Sequence, residues 1–275
     1  MFEIKRKFIN AGDVNLFCLD SGTEGLPIIC LHGRWGRAET WVDFIRNYSV
    51  RFRVIAPDQR GHGLSDKPVS TYSIEEMSDD IEKMVAELEI DKFIIVGHSM
   101  GGAIAARIAA RNENVIGLAI LDKSPAGPGK AIKQPDEIEL CDPVTFNWPL
   151  PFSSLSEASE FIKKEMQSEL SYQYFMNSLV ETPAGYSMMY SIQAISANIA
   201  NYHNWYDVLG EIGCPTMIAR SSSHEAVNDD DFERMRRDIK NSFICEISHP
   251  DHNVHLSKKE EFYNYFDRFI SKIVI

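Results

Sequence analysis

The stretch FIIVGHSMGGAIAARIAA, residues 93–110, decides how the rest of the chain is read. Residues 93–96 are a short apolar, β-branched run, as expected of a parallel strand buried on both faces. From Met100 onward, alanines and isoleucines recur at helical spacing and predict a helix over Met100–Arg111. Between strand and helix lies Gly97-His98-Ser99-Met100-Gly101, which fits G-x-S-x-G. A serine in so sharp a turn stands clear of the sheet, at the C-terminal ends of its strands. The turn is crowded, so the positions two before and two after the serine must be small, and Gly97 and Gly101 meet that requirement. The helix that follows aims backbone N–H groups and a positive dipole end at the hydroxyl, an arrangement better suited to an oxyanion than to a neutral carbonyl. Glycines in a βα turn also serve packing alone. Here the strand before and the helix after favour a nucleophile at Ser99.

Outward from this turn, short β-type runs alternate with helical patterns. Runs at residues 5–8 and 14–19 flank Asn10, Gly12 and Asp13 and predict an opening hairpin. Further strands are expected at Pro27–Leu31 and residues 53–56, 116–121 and 215–219, with the last at Ser242–Ile247. Helices are expected at residues 40–48, 73–88, 229–239 and 257–273. Two of these carry a capping-box pattern, Ser73 with Glu76 and Ser257 with Glu260. Alternating strand and helix predicts an α/β fold, a mostly parallel eight-stranded sheet with helices on both faces.

One region breaks the alternation. Residues 125–204 show no convincing strand and are rich in aromatics and methionine, among them Phe146, Trp148, Phe152, Phe161, Tyr174, Phe175, Met188 and Tyr190. The expected organisation is a core domain from residues 1–124 and 205–275, with 125–204 as a helical cap inserted after the sixth strand. Most of these aromatics are expected to form the cap's own core, and a few to face whatever lies beneath.

Composition narrows the class. The 275 residues suit one α/β domain with an insertion, and 44% hydrophobic content supports a large core. With 28 basic and 40 acidic residues the net charge is −12, which argues against a nucleic-acid backbone or an anionic membrane as partner. The five cysteines, Cys18, Cys30, Cys141, Cys214 and Cys245, are scattered without a C-x-x-C pair and read as reduced thiols of a cytoplasmic protein. The opening MFEIKRKFIN lacks the apolar centre of a signal peptide, and no apolar run approaches membrane-spanning length. The expected partner is a small-molecule substrate, and the expected state a monomer or homodimer.

A lone serine is a weak nucleophile and needs a histidine base with an acid to orient it. After the last strand come His249-Pro-Asp-His252-Asn-Val-His255, where such a base belongs. Three histidines spaced by three also suggest metal ligands, but no cysteine or second acidic cluster completes a site, and none is expected.

Taken along nearly its whole length, the chain resembles the α/β-hydrolase fold superfamily. His32-Gly33 follows the third strand, where that family has its oxyanion loop. Asp58-Gln-Arg60-Gly61-His62-Gly63-Leu-Ser65 resembles D-x-R-G-x-G-x-S. Residues 215–227 resemble the family's PT-strand-R-G-x-x-S-D segment, and Asp251 to His255 resemble G-H-x-V-H, with Asp251 in place of glycine. The resemblance implies Ser99 as nucleophile, His252 as base and His255 as a loop brace, with Arg60 and His62 in a structural loop. It puts Glu225 at the position of the acid, with Asp122, after the sixth strand, as the alternative. It implies an oxyanion hole from the backbone N–H groups of Arg34 and Met100. The Arg34 side chain either binds a substrate carboxylate or, as the favoured reading, points to solvent and pairs with an acidic surface. Trp35 walls the acyl pocket or packs under the insertion, and His98, Trp148 and Phe175 are further pocket candidates. The implied chemistry is cofactor-free, two-step acyl transfer on a small to medium, mostly apolar ester or lactone. Alternatives are an amide or C–C bond hydrolase with the same triad, or a small-molecule receptor of this fold that signals through its lid with little turnover. His98 before the serine, where C–C hydrolases often have asparagine, counts against the C–C reading.

Overall fold

The structure is a computed structural model describing residues 3–128 and 131–273. Eight strands form one sheet: β1 (Lys5–Asn10), β2 (Asn15–Asp20), β3 (Pro27–Leu31), β4 (Arg53–Pro57), β5 (Phe93–His98), β6 (Val115–Leu121) and, after the insertion that holds β7 (Leu179–Thr182) and β8 (Gly185–Met188), β9 (Thr216–Ser221) and β10 (Ser242–Ile247). Their spatial order is β1-β2-β4-β3-β5-β6-β9-β10. The β1–β2 hairpin is antiparallel, β2 runs antiparallel to β4, and every later pairing is parallel.

Side chains of a strand alternate between faces, and here both faces are buried. On β3, Ile29 and Leu31 join one core while Ile28 and Cys30 join the other; on β5, Ile95 separates in the same way from Ile94 and Val96. The first face packs against α2 (Ile74–Glu87), α3 (Met100–Arg111) and α7 (Asp229–Asp238), through residues such as Ile81, Ile104 and Met235. The second packs against α1 (Val42–Tyr48) and α9 (Lys259–Ile270), where Phe44, Tyr48 and Phe266 stack edge-on or tilted within 5.1 Å of one another. The Ser73 cap forms as expected, its hydroxyl accepting the Glu76 N–H at 3.2 Å. The second cap does not. The chain makes a short helix α8 (Val254–Ser257), breaks at Lys258 and restarts, leaving the Ser257 hydroxyl buried without a partner among the described residues.

Between β6 and β9 lie α4 (Leu155–Glu165), α5 (Glu169–Met176) and α6 (Ile192–Ala200), each opened by a serine cap at Ser154, Ser168 and Ser191. The expectation of no strand here is corrected by the β7–β8 hairpin. Four-residue strands of mixed polarity around Pro183-Ala184 are too short to show a period in the sequence. The segment has its own apolar cluster, including Trp148, Phe152, Ile162, Phe175 and Ile195. Phe146, in contrast, is exposed. Among the described residues no helix is long and apolar enough to cross a membrane.

Candidate active site

Ser99 caps α3 with φ 50°, ψ −118°, a positive-φ conformation that a non-glycine residue adopts only when its surroundings enforce it. The enforcement is steric. A Cβ on Gly97 would lie 2.1 Å from the Gly101 carbonyl oxygen, and one on Gly101 would lie 2.5 Å from that of Leu31. Both glycines therefore let strand, turn and helix close on each other. The Ser99 N–H donates to the Leu121 carbonyl at 2.9 Å, tying the turn to the end of β6. At Met100, the first helical residue, and at Arg34, the backbone N–H has no partner among the described residues.

His252 lies in the loop between β10 and α8. Its Nδ1 is 2.8 Å from Asp122 Oδ2, and the other carboxylate oxygen accepts the Ser221 N–H at 2.8 Å. Asp122 is fully buried and itself holds a positive φ of 48°. The expectation that Glu225 holds this place is corrected. Glu225 is exposed, and among the described residues its only hydrogen bond is from its own N–H to Ser223 Oγ. The strand register gives the reason. His98 pairs with Leu121 and Leu121 with Ala219, so Ser99 and Asp122 leave neighbouring strands at the same height. The loop after β9 turns away instead, drawn toward the start of α7 and β10 by Arg220 on Asp229 and His224 on Glu246.

His98 stands between the two loops. Its Nε2–H donates to the His252 carbonyl at 2.9 Å, and its ring lies 4.7 Å from that of His252 and 4.8 Å from that of His255. His255 stacks on Trp41 at 4.3 Å, with neither ring nitrogen hydrogen-bonded among the described residues. Burial, and then the neighbouring histidines, pull His98 below the usual imidazole range; burial does the same to His255, to about 3. His249 accepts the Asp251 N–H on its Nδ1, and Asp251 closes the turn by accepting from Asn253 N at 2.7 Å. The three histidines of this segment thus have three separate environments.

The loop after β3 is braced from both sides. His32 Nε2 accepts the Gln59 N–H at 2.9 Å, so its proton is on Nδ1 and donates to the Gly33 carbonyl. The loop at Asp58–Ser65 is itself structural: Asp58 accepts the N–H groups of Ala38 and Leu64, and buried Arg60 pairs with Asp80 and Glu76. From the insertion, Tyr174 Oη donates toward the carbonyls of Gly33 and Arg34, and Ser178 Oγ donates to that of Trp35 at 2.9 Å. No motif in the sequence marked Tyr174 or Ser178.

Ser99 and His252 line one cavity of about 360 Å³, without a direct hydrogen bond between them. Gly33, Arg34, Trp35, His98 and Phe175 share its wall. Trp35 lines the cavity and donates its Nε1–H to Asp142 at 3.1 Å in the insertion. Trp148 is not in the wall. It packs behind Phe175 with ring centroids 5.2 Å apart. Arg34 does not reach an acidic surface as the favoured reading had it. Its guanidinium is turned under the insertion, donating from Nε and Nη2 to Asn198 Oδ1 on α6 at 3.0 and 2.9 Å.

A family model described as alpha/beta hydrolase fold matches residues 27–259. An AB hydrolase superfamily protein of Bacillus subtilis (strain 168), YisY, is 31% identical over 261 residues, covering 90% of this chain and 92% of its own. The sn-1-specific diacylglycerol lipase ABHD11 of Danio rerio is 25% identical, covering 92% and 81%. Among solved structures, E-2-(acetamidomethylene)succinate hydrolase superposes with a TM-score of 0.82 over 98% of this chain and 100% of its own, at 20% identity, a likeness of fold.

Proposed function

Because this chain belongs to the α/β-hydrolase fold family and is an enzyme of the hydrolase class, we propose that it cleaves a small to medium, mostly apolar carboxylic ester or lactone by a Ser99-His252-Asp122 mechanism. The observation that carries this reading is the 2.8 Å bond between His252 Nδ1 and a buried carboxylate, on the rim of the cavity that Ser99 lines. With Nδ1 committed to Asp122, Nε2 is the basic nitrogen left for the serine proton.

Ser99 Oγ attacks the carbonyl carbon while His252 Nε2 takes its proton. The free N–H groups of Arg34 and Met100 receive the oxyanion. His252 then protonates the leaving alcohol, and water repeats the sequence on the acyl-enzyme. Asp122 stays ionised and stabilises the imidazolium; the Ser221 N–H on its other oxygen fixes the carboxylate's orientation. In a resting enzyme the serine–histidine hydrogen bond is often long and tightens with substrate bound. Residues 125–204 act as a cap, with Phe175, Trp35 and Val144 supplying apolar wall. The free thiols suit the cytoplasm, and the protein works as a monomer or homodimer.

A fluorophosphonate should label Ser99, and phenyl or p-nitrophenyl esters of graded chain length should be turned over. Ser99→Ala should abolish both, by roughly six orders of magnitude in kcat, while binding persists. Labelling at another residue, or turnover retained in Ser99→Ala, would reject the mechanism. Tight ligand binding with negligible turnover of every ester would favour the receptor reading.

A further inference from the structure

We propose that Tyr174 and Ser178, both in the insertion, are positioning residues for the oxyanion donor at Arg34, so that the core fixes one half of the oxyanion hole and the insertion holds the other. The inference rests on the hydrolase reading above and deepens it.

The two donors are built differently. The Met100 N–H opens α3 and is fixed by the turn at Ser99. The Arg34 N–H sits in a four-residue turn, closed by the Gly36 N–H on the Gly33 carbonyl at 3.1 Å. Within that turn Trp35 has φ 64°, where a bulky side chain is strained. A turn with ordinary φ at this place has its central peptide rotated by about half a turn. That peptide carries the Arg34 carbonyl and adjoins the donor. The strained form persists only where its surroundings hold it.

The insertion supplies the hold. Among the described residues, every hydrogen bond of Arg34 and Trp35 goes to it. Tyr174 Oη lies 3.2 Å from the Arg34 carbonyl and 3.4 Å from that of Gly33, and Ser178 Oγ donates to the Trp35 carbonyl at 2.9 Å. The two side chains end on Asn198 and Asp142. From the core, His32 Nδ1–H reaches the Gly33 carbonyl at 2.8 Å, but among the described residues no core group reaches the next two carbonyls. The Gly33 carbonyl shares a planar trans peptide with the Arg34 N–H, so holding the first aims the second the opposite way.

Gly36 is the complementary feature. Its φ is not in the left-handed region, yet a Cβ there would lie 2.1 Å from Tyr174 Oη. The glycine therefore makes room for the hydroxyl. Tyr174 is buried, and burial pushes its phenol up, so the group remains an O–H donor.

The test removes one hydroxyl at a time, in Tyr174→Phe and Ser178→Ala. Each variant is assayed on phenyl hexanoate and on binding of the trifluoromethyl ketone with the same acyl chain, whose Ser99 adduct places an oxyanion in the hole. Tyr174 lines the cavity, whereas Ser178 lies outside its wall, so a loss in Ser178→Ala does not come from a lost substrate contact. Each variant should lower kcat about tenfold with KM within about twofold, and weaken ketone binding by the same factor as kcat. Tyr172→Phe, which removes a hydroxyl bonded to Ser159 between α5 and α4, should leave both readings within about twofold. Wild-type values in Tyr174→Phe and Ser178→Ala, in an enzyme that Ser99→Ala inactivates, overturn the inference while the hydrolase reading stands. A loss in Tyr174→Phe alone, or one confined to KM, marks a substrate contact and overturns it as well. If the wild type cleaves no ester of the graded series and binds no such ketone, the hydrolase reading falls and the role at the oxyanion with it. Should Ser178→Ala fail to fold by thermal melting, Gly36→Ala displaces the Tyr174 hydroxyl from the loop side and should show the same split between kcat and KM.

Discussion

Two loops at the same edge of the sheet each offer a carboxylate, and they could hardly differ more. The loop after β6 presents Asp122 fully buried, at positive φ, with one oxygen on His252 and the other on the Ser221 N–H. The loop after β9 presents Glu225 to solvent, with no partner for its carboxylate among the described residues. A triad acid must hold an imidazole in one tautomer and stabilise it when it becomes cationic, and both effects weaken when water screens the charge. Burial and register, more than position in a family pattern, separate the two carboxylates.

The largest effect should come from removing that charge without changing shape. Asp122→Asn is expected to lower kcat by roughly three to four orders of magnitude with the fold intact by circular dichroism, whereas Glu225→Gln should change it less than about twofold. A large loss in Glu225→Gln, with Asp122→Asn near wild type, would invert the assignment.

The next test concerns how the end of β5 keeps His252 in place. The His98 Nε2–H bond to the His252 carbonyl joins the proposed base to the residue next to the proposed nucleophile. Its loss should let the imidazole drift, so His98→Phe should cut kcat about ten- to a hundredfold with little change in KM. His98→Gln, whose amide nitrogen reaches the same carbonyl, should restore most of it. Equal losses in both variants would make His98 a packing residue.

Smaller again is the cap's influence on selectivity. Phe175 is in the cavity wall and Trp148 is behind it. Phe175→Leu should shift the ratio of kcat/KM between a short and a long acyl ester by about tenfold. Trp148→Leu should lower the melting temperature but leave that ratio within about twofold. If both variants slow every ester by one factor, the wall does not select chain length.

The last test, read in stability and not in rate, concerns the shared burial around the base. His255 is neutral at physiological pH because burial lowers its pKa from 6.5 to about 3. Below pH 6.5 the unfolded chain gains a proton there that the folded chain refuses. Stability attributable to this ring is therefore whole above pH 6.5 and declines by about 1.4 kcal/mol per pH unit as the pH falls toward 3. His255→Phe, which preserves the stack on Trp41, should flatten the acid limb of stability against pH by one proton. Denaturant unfolding at pH 7, 6 and 5 measures it, and an unchanged slope would mean that this ring titrates normally in the fold.

Much of the molecule was legible in the chain alone, and the reason is locality. Short apolar, β-branched runs announce strands buried on both faces, and the eight sheet strands lie where the runs read in the sequence occur. Gly97 is demanded by a contact within its own turn and Gly101 by the close approach of Leu31 at the end of β3, but both stand in a five-residue pattern around Ser99 that can be read from the sequence. His252 follows the last strand and is recognisable by its place. The β7–β8 hairpin escaped because four-residue strands carry no period, and the Ser257 cap was wrongly expected because the break at Lys258 depends on how α8 packs.

What the tertiary structure decided is everything that joins distant segments. Asp122 meets His252 across 130 positions of sequence, through the pairing of β5 with β6 and β6 with β9. Arg34 meets Asn198 across 164, and no local pattern distinguishes an arginine turned under a helix from one in solvent. Which aromatic lines a cavity and which stands behind it depends likewise on the way one segment lies over another. Turn sterics and periodicity act over a few residues and are written in the chain. The choice between two carboxylates or two aromatic rings follows from burial, and burial is a property of the assembled fold.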